Sequence, residues 1–263
     1  MDACLSRRRL RGLVIPVMLI IVWEVGSLAG FLPMDTMSRP SDIVSAARDG
    51  FADGSILLST WETCEAAFTG FAIAAFAGVL IGIVLGLTPR LERIVGPSVD
   101  MLRPIPAVAL IPLALMLFGF GLRMEASVIA FACVWPILIV TIAAVRGIEP
   151  RLLEVARALE MSFIARTFSI ILPAALGRIV VGLRLAMAIA LIVAVTVEIV
   201  LNPRGLGHGM MGAQQSLRPD LMYAQLLWLA FIGWTLNRLT LALAARWAGG
   251  RTFAEENKAI GAA

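Results

Sequence analysis

Apolar positions run along this chain in blocks longer than one face of a soluble helix needs. Blocks close to the roughly twenty residues that carry a helix across a bilayer core cover Leu13–Phe31, Ala66–Leu87, Ala126–Val145, Ile179–Leu201 and Leu221–Ala245. A further block, Ala107–Phe120, is short by itself. It reaches spanning length when it starts near Pro97, because Val99, Met101, Leu102 and Ile105 extend it. The pattern predicts an all-α integral membrane protein with six transmembrane helices.

Between the blocks the period changes. In 33–63, Ser38-Arg39-Pro40-Ser41 leads into Asp42, Ile43 and Val44, and Ala46, Ala47 and Phe51 recur at helical spacing. This predicts a short amphipathic helix lying on one membrane face. A second such stretch starts at Pro150, a residue suited to a first helical turn. Leu152, Leu153, Val155, Ala156 and Leu159 are apolar. Arg151, Glu154, Arg157 and Glu160 recur every third residue with alternating sign, so neighbours can pair. Ser162 can cap a second short helix, which Leu172-Pro173 is expected to end. The reading is a helix–turn–helix under the membrane, either a cap on the bundle or a docking element.

Composition agrees with the pattern. Hydrophobic residues make up 60% and charged residues 15% of the 263, against about 45–50% and about 25% in soluble domains. A water-soluble fold of this size could not hide that much apolar surface. Charge then sets orientation through the positive-inside rule. With a cytoplasmic N-terminus, fifteen of the 22 Lys and Arg fall in inner segments and five in outer ones. Both termini are therefore read as cytoplasmic, with 1–12 and 248–263 as tails. Arg7, Arg8, Arg9 and Arg11 precede the first block like a signal-peptide n-region, but Trp23 and Glu24 interrupt it and no small-x-small site follows. An uncleaved first helix over 13–32 is the better reading. The net charge of +4 reports topology and does not point to nucleic acid.

Inventory removes rival chemistries. The single histidine, His208, excludes a His-rich zinc site. It is expected in an outer turn, in Gly-Leu-Gly-His-Gly. No Gly-x-Ser-x-Gly occurs, and Cys4, Cys64 and Cys133 are too scattered for a disulfide framework. The lone lysine, Lys258, is followed by Ala259, so the chain holds no Gly-x4-Gly-Lys-Ser/Thr phosphate loop. ATP-driven work would need a partner.

Within the spans, Gly78, Gly82 and Gly86 line one helix face, where another helix can approach closely. Pro104, Pro106 and Pro112 break the third span. Irregular backbone at membrane depth survives where it faces protein or a water-filled path, which makes them pathway candidates. Glu24 and Glu198 are intramembrane acids. Glu198 is expected at an outer gate, pairing with an arginine or with backbone, or touching solute. Arg184 is expected to snorkel to the inner interface or to line the path.

Residue identity adds a resemblance. Glu154-Val155-Ala156, followed by Ile170-Ile171-Leu172-Pro173, resembles the EAA loop of ABC-importer membrane subunits, whose pattern is Glu-Ala-Ala, three residues, Gly, nine residues, Ile-x-Leu-Pro. Val155 replaces the first Ala, and Glu160 stands where Gly is usual. Leu91-Glu92-Arg93, Arg103-Pro104-Ile105-Pro106, Ala109-Leu110-Ile111-Pro112, Val145-Arg146-Gly147, Leu172-Pro173-Ala174-Ala175, Gly182-Leu183-Arg184 and Gly205-Leu206-Gly207 look like the permeases for nitrate, sulfonate and taurine uptake, from about Pro40 to Trp247.

The resemblance implies a type I ABC-importer-like fold in a bacterial inner membrane. The permease domain would cover 64–247, with the EAA loop at 149–173 and the 33–63 segment periplasmic. It implies coupling to a separate ATPase through Glu154, Val155, Ala156, Arg157, Glu160, Leu172 and Pro173. ATP and Mg would be held by that partner and no cofactor by this chain. An extracytoplasmic binding protein would deliver the solute, and a permease homodimer in the lipid would enclose the path. A secondary, ion-coupled transporter is the alternative, but the inverted repeat such proteins often show is not seen. A membrane scaffold would lack the Arg-Pro-Ile-Pro and Leu-Pro-Ala-Ala signatures.

Overall fold

The computed structural model describes residues 2–29 and 37–247; the expected tail 248–263 lies outside the described residues. The order is α1 (Asp2–Leu28), α2 (Pro40–Ala52), α3 (Ser55–Leu87), α4 (Pro89–Leu102), a 3₁₀ turn (Ala107–Leu110), α5 (Ile111–Phe118), α6 (Leu122–Arg146), α7 (Pro150–Ala158), α8 (Phe163–Arg166), a π turn (Thr167–Ile171), α9 (Leu172–Val200), α10 (Gly205–Gln215) and α11 (Pro219–Trp247). Ser55–Leu87, Leu122–Arg146 and Thr167–Val200 are each long and apolar enough to cross a bilayer. Pro89–Leu102 and Ala107–Phe118 reach that standard together, across an 83° bend.

The centre is the packing of α3, α6 and α9. Its buried side chains are mostly small on α3 and α9 (Ala67, Ala74, Ala186, Ala190, Ala194) and larger on α6 (Ile129, Ile137). Lipid tails are as apolar as leucine, so helices in a bilayer gain by close packing of backbones. The α3–α6 seam shows this directly. A Cβ added at Gly70 would stand 2.6 Å from Ile129 Cβ, at Gly78 2.9 Å from Ile137 Cγ2, at Gly82 2.6 Å from Thr141 Cβ, and at Gly86 2.8 Å from Val145 Cβ. Gly182 of α9 faces Val140 of α6 in the same way, and the Cys133 thiol donates to the Ala186 carbonyl at 3.3 Å. Large apolar side chains such as Phe76, Met116 and Ile192 point outward, as a lipid solvent allows.

Several boundaries differ from those expected. Helix α1 starts at Asp2, so residues 2–12 of the expected tail 1–12 are one helix with the first apolar block. Helix α3 begins eleven residues before Ala66, just after a turn at Asp53-Gly54. Gly54 takes a left-handed φ of 79° there, and Asp53 Oδ1 accepts from Ser55 N at 2.8 Å. The bonds from Ser55, side chain first, hold the Asp53 carboxyl below its usual range. The third block is divided at Arg103–Pro106, where Pro104 and Pro106 supply no N–H to a continuing helix. Pro173 does not end a helix: helical backbone runs from Phe163 to Val200. The π turn at Thr167–Ile171 widens the ladder just before Pro173, where a donor is missing.

The seam makes a direct prediction. Gly82→Val forces a branched side chain against Thr141 and should cost about 1–3 kcal/mol by overpacking. Gly96→Val on α4, where nothing lies within 4 Å, serves as the control. Thermal midpoints in detergent check this; equal midpoints for the two variants would contradict a backbone-level α3–α6 contact.

Candidate functional site

At one end of the bundle, α7 and α8 form a helix–turn–helix. Ala156 is buried, while Val155 is 52% and Leu159 67% exposed. Leu152, Val155 and Leu159 fall on one face of α7, and the exposed Glu154 lies beside Val155. Among the described residues no element covers this apolar ridge. The turn is closed by Leu159 N–H to the Val155 carbonyl at 3.0 Å and Met161 N–H to the Ala156 carbonyl at 3.1 Å. Between them Glu160 adopts a left-handed φ of 48°. The second bond is the six-to-one bond of a Schellman-type helix end, whose left-handed residue is usually glycine. Glu160 therefore performs a glycine's backbone task with a side chain attached. Ser162 Oγ accepts from Ala165 N at 3.2 Å and starts α8. The Arg157 side chain lies outside the described residues. Leu172 and Pro173 sit on the first turn of α9, where Leu172 packs on the Ala144, Val145, Ile148, Ile171 and Ala175 cluster. That cluster fixes the loop's return to the end of α6.

At the other end, the structure gathers acids that pattern alone kept apart. Helix α10 begins after Arg204, which makes no side-chain cap. Its first N–H groups are satisfied by α3 and α9 instead. Gly205 N donates to Glu62 Oε2 at 2.9 Å, Leu206 N to Thr63 Oγ1 at 2.9 Å, and Gly207 N to Glu198 Oε2 at 2.7 Å. Carboxylates suit this position because orphan N–H groups and the positive end of the helix dipole meet there. Gly205 has φ 86°, and a Cβ on it would collide with the Glu198 carboxyl. Arg204 Nε also donates to Glu62 Oε1 at 3.0 Å. Behind them, Asn202 Nδ2 donates to Glu125 Oε2 at 2.8 Å. Glu125, Glu198 and Asn202 are all buried, and Glu125 Oε1, Glu198 Oε1 and Asn202 Oδ1 have no protein partner.

Glu198 thus contacts backbone rather than an arginine: among the described residues no ion pair reaches it. His208 is exposed on the first turn of α10, a helix where a turn was expected. Glu24 accepts from Ser41 N at 3.2 Å and Ser41 Oγ at 2.8 Å, tying α1 to the start of α2. Arg184 Nε donates to Asn237 Oδ1 on α11 at 3.0 Å. Pro104, Pro106 and Pro112 are exposed along the bent α4–α5 segment. Glu62, Thr63, Glu125 and Asn202 were missed because each flanks an expected span. The available signal was a Gly-Leu-Gly helix start with Arg204 rather than Ser, Thr, Asp or Asn at the cap position, which needs acceptors from elsewhere. Among the described residues no group of His, Cys, Asp and Glu is placed to hold a metal.

Residues 78–248 match the family described as binding-protein-dependent transport system inner membrane component. The chain is 31% identical over 224 residues to the putative aliphatic sulfonates transport permease protein SsuC of Bacillus subtilis, covering 85% of this chain and 81% of that one. It is 29% identical to the taurine transport system permease protein TauC of Escherichia coli, with 88% and 85% covered. It is 31% identical to the bicarbonate transport system permease protein CmpB of Synechococcus elongatus, with 92% and 91% covered. In fold it is similar to a chain of the inward-facing MetNI methionine ABC transporter, with a TM-score of 0.63, 20% identity, and 71% of this chain and 93% of that one covered.

Two substitutions check the local geometry. Glu160→Gly removes the left-handed penalty and should stabilise the turn by about 1 kcal/mol, seen as slower amide exchange at Leu159–Met161; faster exchange would refute the turn. Glu198→Ala orphans the Gly207 N–H at a cost of about 1–3 kcal/mol, whereas Glu198→Gln keeps an acceptor. Amide exchange at Gly205–Gly207 should accelerate in the Ala variant only, and parent-like exchange there would remove Glu198 from the cap.

Proposed function

This chain belongs to the binding-protein-dependent transport inner membrane component family, and we propose that it carries a small oxoanion across the membrane, powered through the α7–α8 loop. As a member it is the permease subunit of an ATP-binding-cassette importer. It is not itself an enzyme; a partner ATPase hydrolyses the ATP. The ion-coupled alternative is not favoured.

The observation that carries the coupling reading is the uncovered ridge of Leu152, Val155 and Leu159 beside Glu154 on α7. An exposed apolar ridge with a charge beside it suits insertion into a groove of another protein. The reading places that groove on the ATPase, with Glu154, Val155 and Ala156 at the contact and Glu160 turning the chain. It takes α1, α3, the α4–α5 pair, α6, α9 and α11 as six spans, with both termini and the α7–α8 loop cytoplasmic. ATP and Mg stay on the ATPase. Movement of α7 reaches the far end mechanically, because helical backbone is unbroken from Phe163 to Val200, and Glu198 on that run holds α10. The extracytoplasmic binding protein would meet the α2 and α10 face. A second copy of the chain would close the path, since one bundle exposes the bent Pro104–Pro112 segment. The solute is taken as an oxoanion because similar permeases are named for sulfonates, taurine, bicarbonate and nitrate.

Co-purification with the transporter's own ATPase tests this. Val155→Asp should weaken co-elution at least about tenfold, a change of about 1.4 kcal/mol, and Glu154→Ala should uncouple hydrolysis from uptake. Undiminished co-elution with Val155→Asp, together with vesicle uptake that follows an ion gradient, would overturn the reading.

A further inference from the structure

Two carboxyl groups meet at the α10 end of the bundle. Glu125, on the first turn of α6, is 3% exposed, and Glu198, on the last turn of α9, is 2% exposed. Their side chains lie within hydrogen-bonding reach of one another. Each acid has one satisfied oxygen: Glu198 Oε2 accepts from Gly207 N, and Glu125 Oε2 accepts from Asn202 Nδ2. The other oxygen of each, Oε1, is buried and has no protein donor. The Thr63 hydroxyl beside Glu198 spends its hydrogen on the Ser59 carbonyl at 3.0 Å. Among the described residues no cation pairs with either acid. The other ionisable groups facing the pair are Glu62 and Cys64 of α3. Glu62 is held by Arg204 Nε and Gly205 N, and the Cys64 thiol is half-buried. Arg123 of α6 and His208 of α10 are exposed, and α5, packed on α6, carries no ionisable side chain.

Two buried carboxylates in contact repel each other, and each forfeits hydration without a counterion. One proton removes both faults. A hydroxyl on one acid donates to the ionised partner, and a single charge-assisted bond satisfies both Oε1 atoms. A hard cation fits less well, because it takes about six or more oxygen ligands and no third acid or histidine is placed to complete a metal site among the described residues. The remaining donors decide which acid keeps the proton. Glu198 faces the start of α10, where orphan N–H groups and the helix dipole hold a carboxylate. Glu125 has only a neutral side-chain amide.

We propose that Glu125 and Glu198 form a proton-binding site, in which the protonated Glu125 donates from Oε1 to Glu198 Oε1 and latches α6 to the corner between α9 and α10. The site goes beyond the importer reading, since its occupant is a proton from solution and it acts on the α10 end. Loss of the proton sets two charges side by side and releases that corner, so the α10 end loosens as pH rises.

The test uses the permease–ATPase complex in lipid nanodiscs. Infrared spectra of the parent should contain a protonated-carboxyl carbonyl band that Glu125→Gln lacks and that Glu198→Gln shifts, because the acceptor changes from carboxylate to amide. Amide exchange at Gly205–Gly207, expressed as protection relative to the free-peptide rate, should lose at least about tenfold in the parent between neutral and alkaline pH. Glu125→Gln, whose amide donates at every pH, should keep its protection throughout. Identical infrared bands in parent and Glu125→Gln overturn the site, as does parent protection that does not change with pH. Equal pH dependence in parent and Glu125→Gln overturns it by placing the titration elsewhere. Protection that follows sodium concentration at fixed pH overturns it as well, because the pocket then holds a metal cation.

Discussion

The approach of α3 to α6 at backbone distance is the constraint on which the rest of the bundle depends. A bilayer offers helices no hydrophobic reward for leaving solvent, so their separation is set by what stands between the backbones. On α3 that is hydrogen at Gly70, Gly78, Gly82 and Gly86, and the branched side chains of Ile129, Ile137, Thr141 and Val145 fill the space. Helix α9 meets α6 through Gly182 and Ala186. With these three helices locked, both ends of the bundle are positioned. Val145 and Ile148 meet Ile171 and Ala175 under the α7–α8 loop. At the far end Glu62 and Thr63 of α3 meet Glu198 of α9 and the start of α10.

The two ends are finished differently. At the α10 end, helix termini are capped by other helices: Glu62, Thr63 and Glu198 receive the first N–H groups of α10, and Glu24 receives those of Ser41 on α2. Such long-range caps bind elements together as well as satisfying donors. At the α7 end the caps are local. Ser162 starts α8, and Glu160 closes α7 with a left-handed residue. The loop keeps its own shape and leaves an apolar ridge uncovered.

Much of this was legible in the chain. The apolar blocks announced a lipid-embedded helical protein, and the four-residue spacing of Gly78, Gly82 and Gly86 announced a close helix contact, though Gly70 was not included. The amphipathic period from Pro150 announced a helix–turn–helix, and Glu160 stood out as a departure from a glycine position. The acidic cluster was not legible. Glu198 stood out as an intramembrane acid, but the hydrogen bonds of the cluster join residues 77 and 143 apart in the chain, and Glu62, Thr63, Glu125 and Asn202 sit where an apolar block begins or ends, so each looked like an ordinary flanking residue. Pro173 was read as a helix terminator because its missing donor usually ends a helix; the π turn before it lets the helix continue.

The sequence by itself determined solvent, the main apolar helices and family, because these follow from quantities that add residue by residue: transfer of apolar side chains into lipid, helical periodicity, and local motifs of a few residues. Tertiary structure alone decided which acids share a site, where Arg184 finds Asn237, that the chain bends by 83° between α4 and α5, and which face of α7 is left uncovered. Those outcomes depend on the relative placement of helices far apart in the chain, and that placement is set by side-chain volumes meeting across the α3–α6–α9 seams.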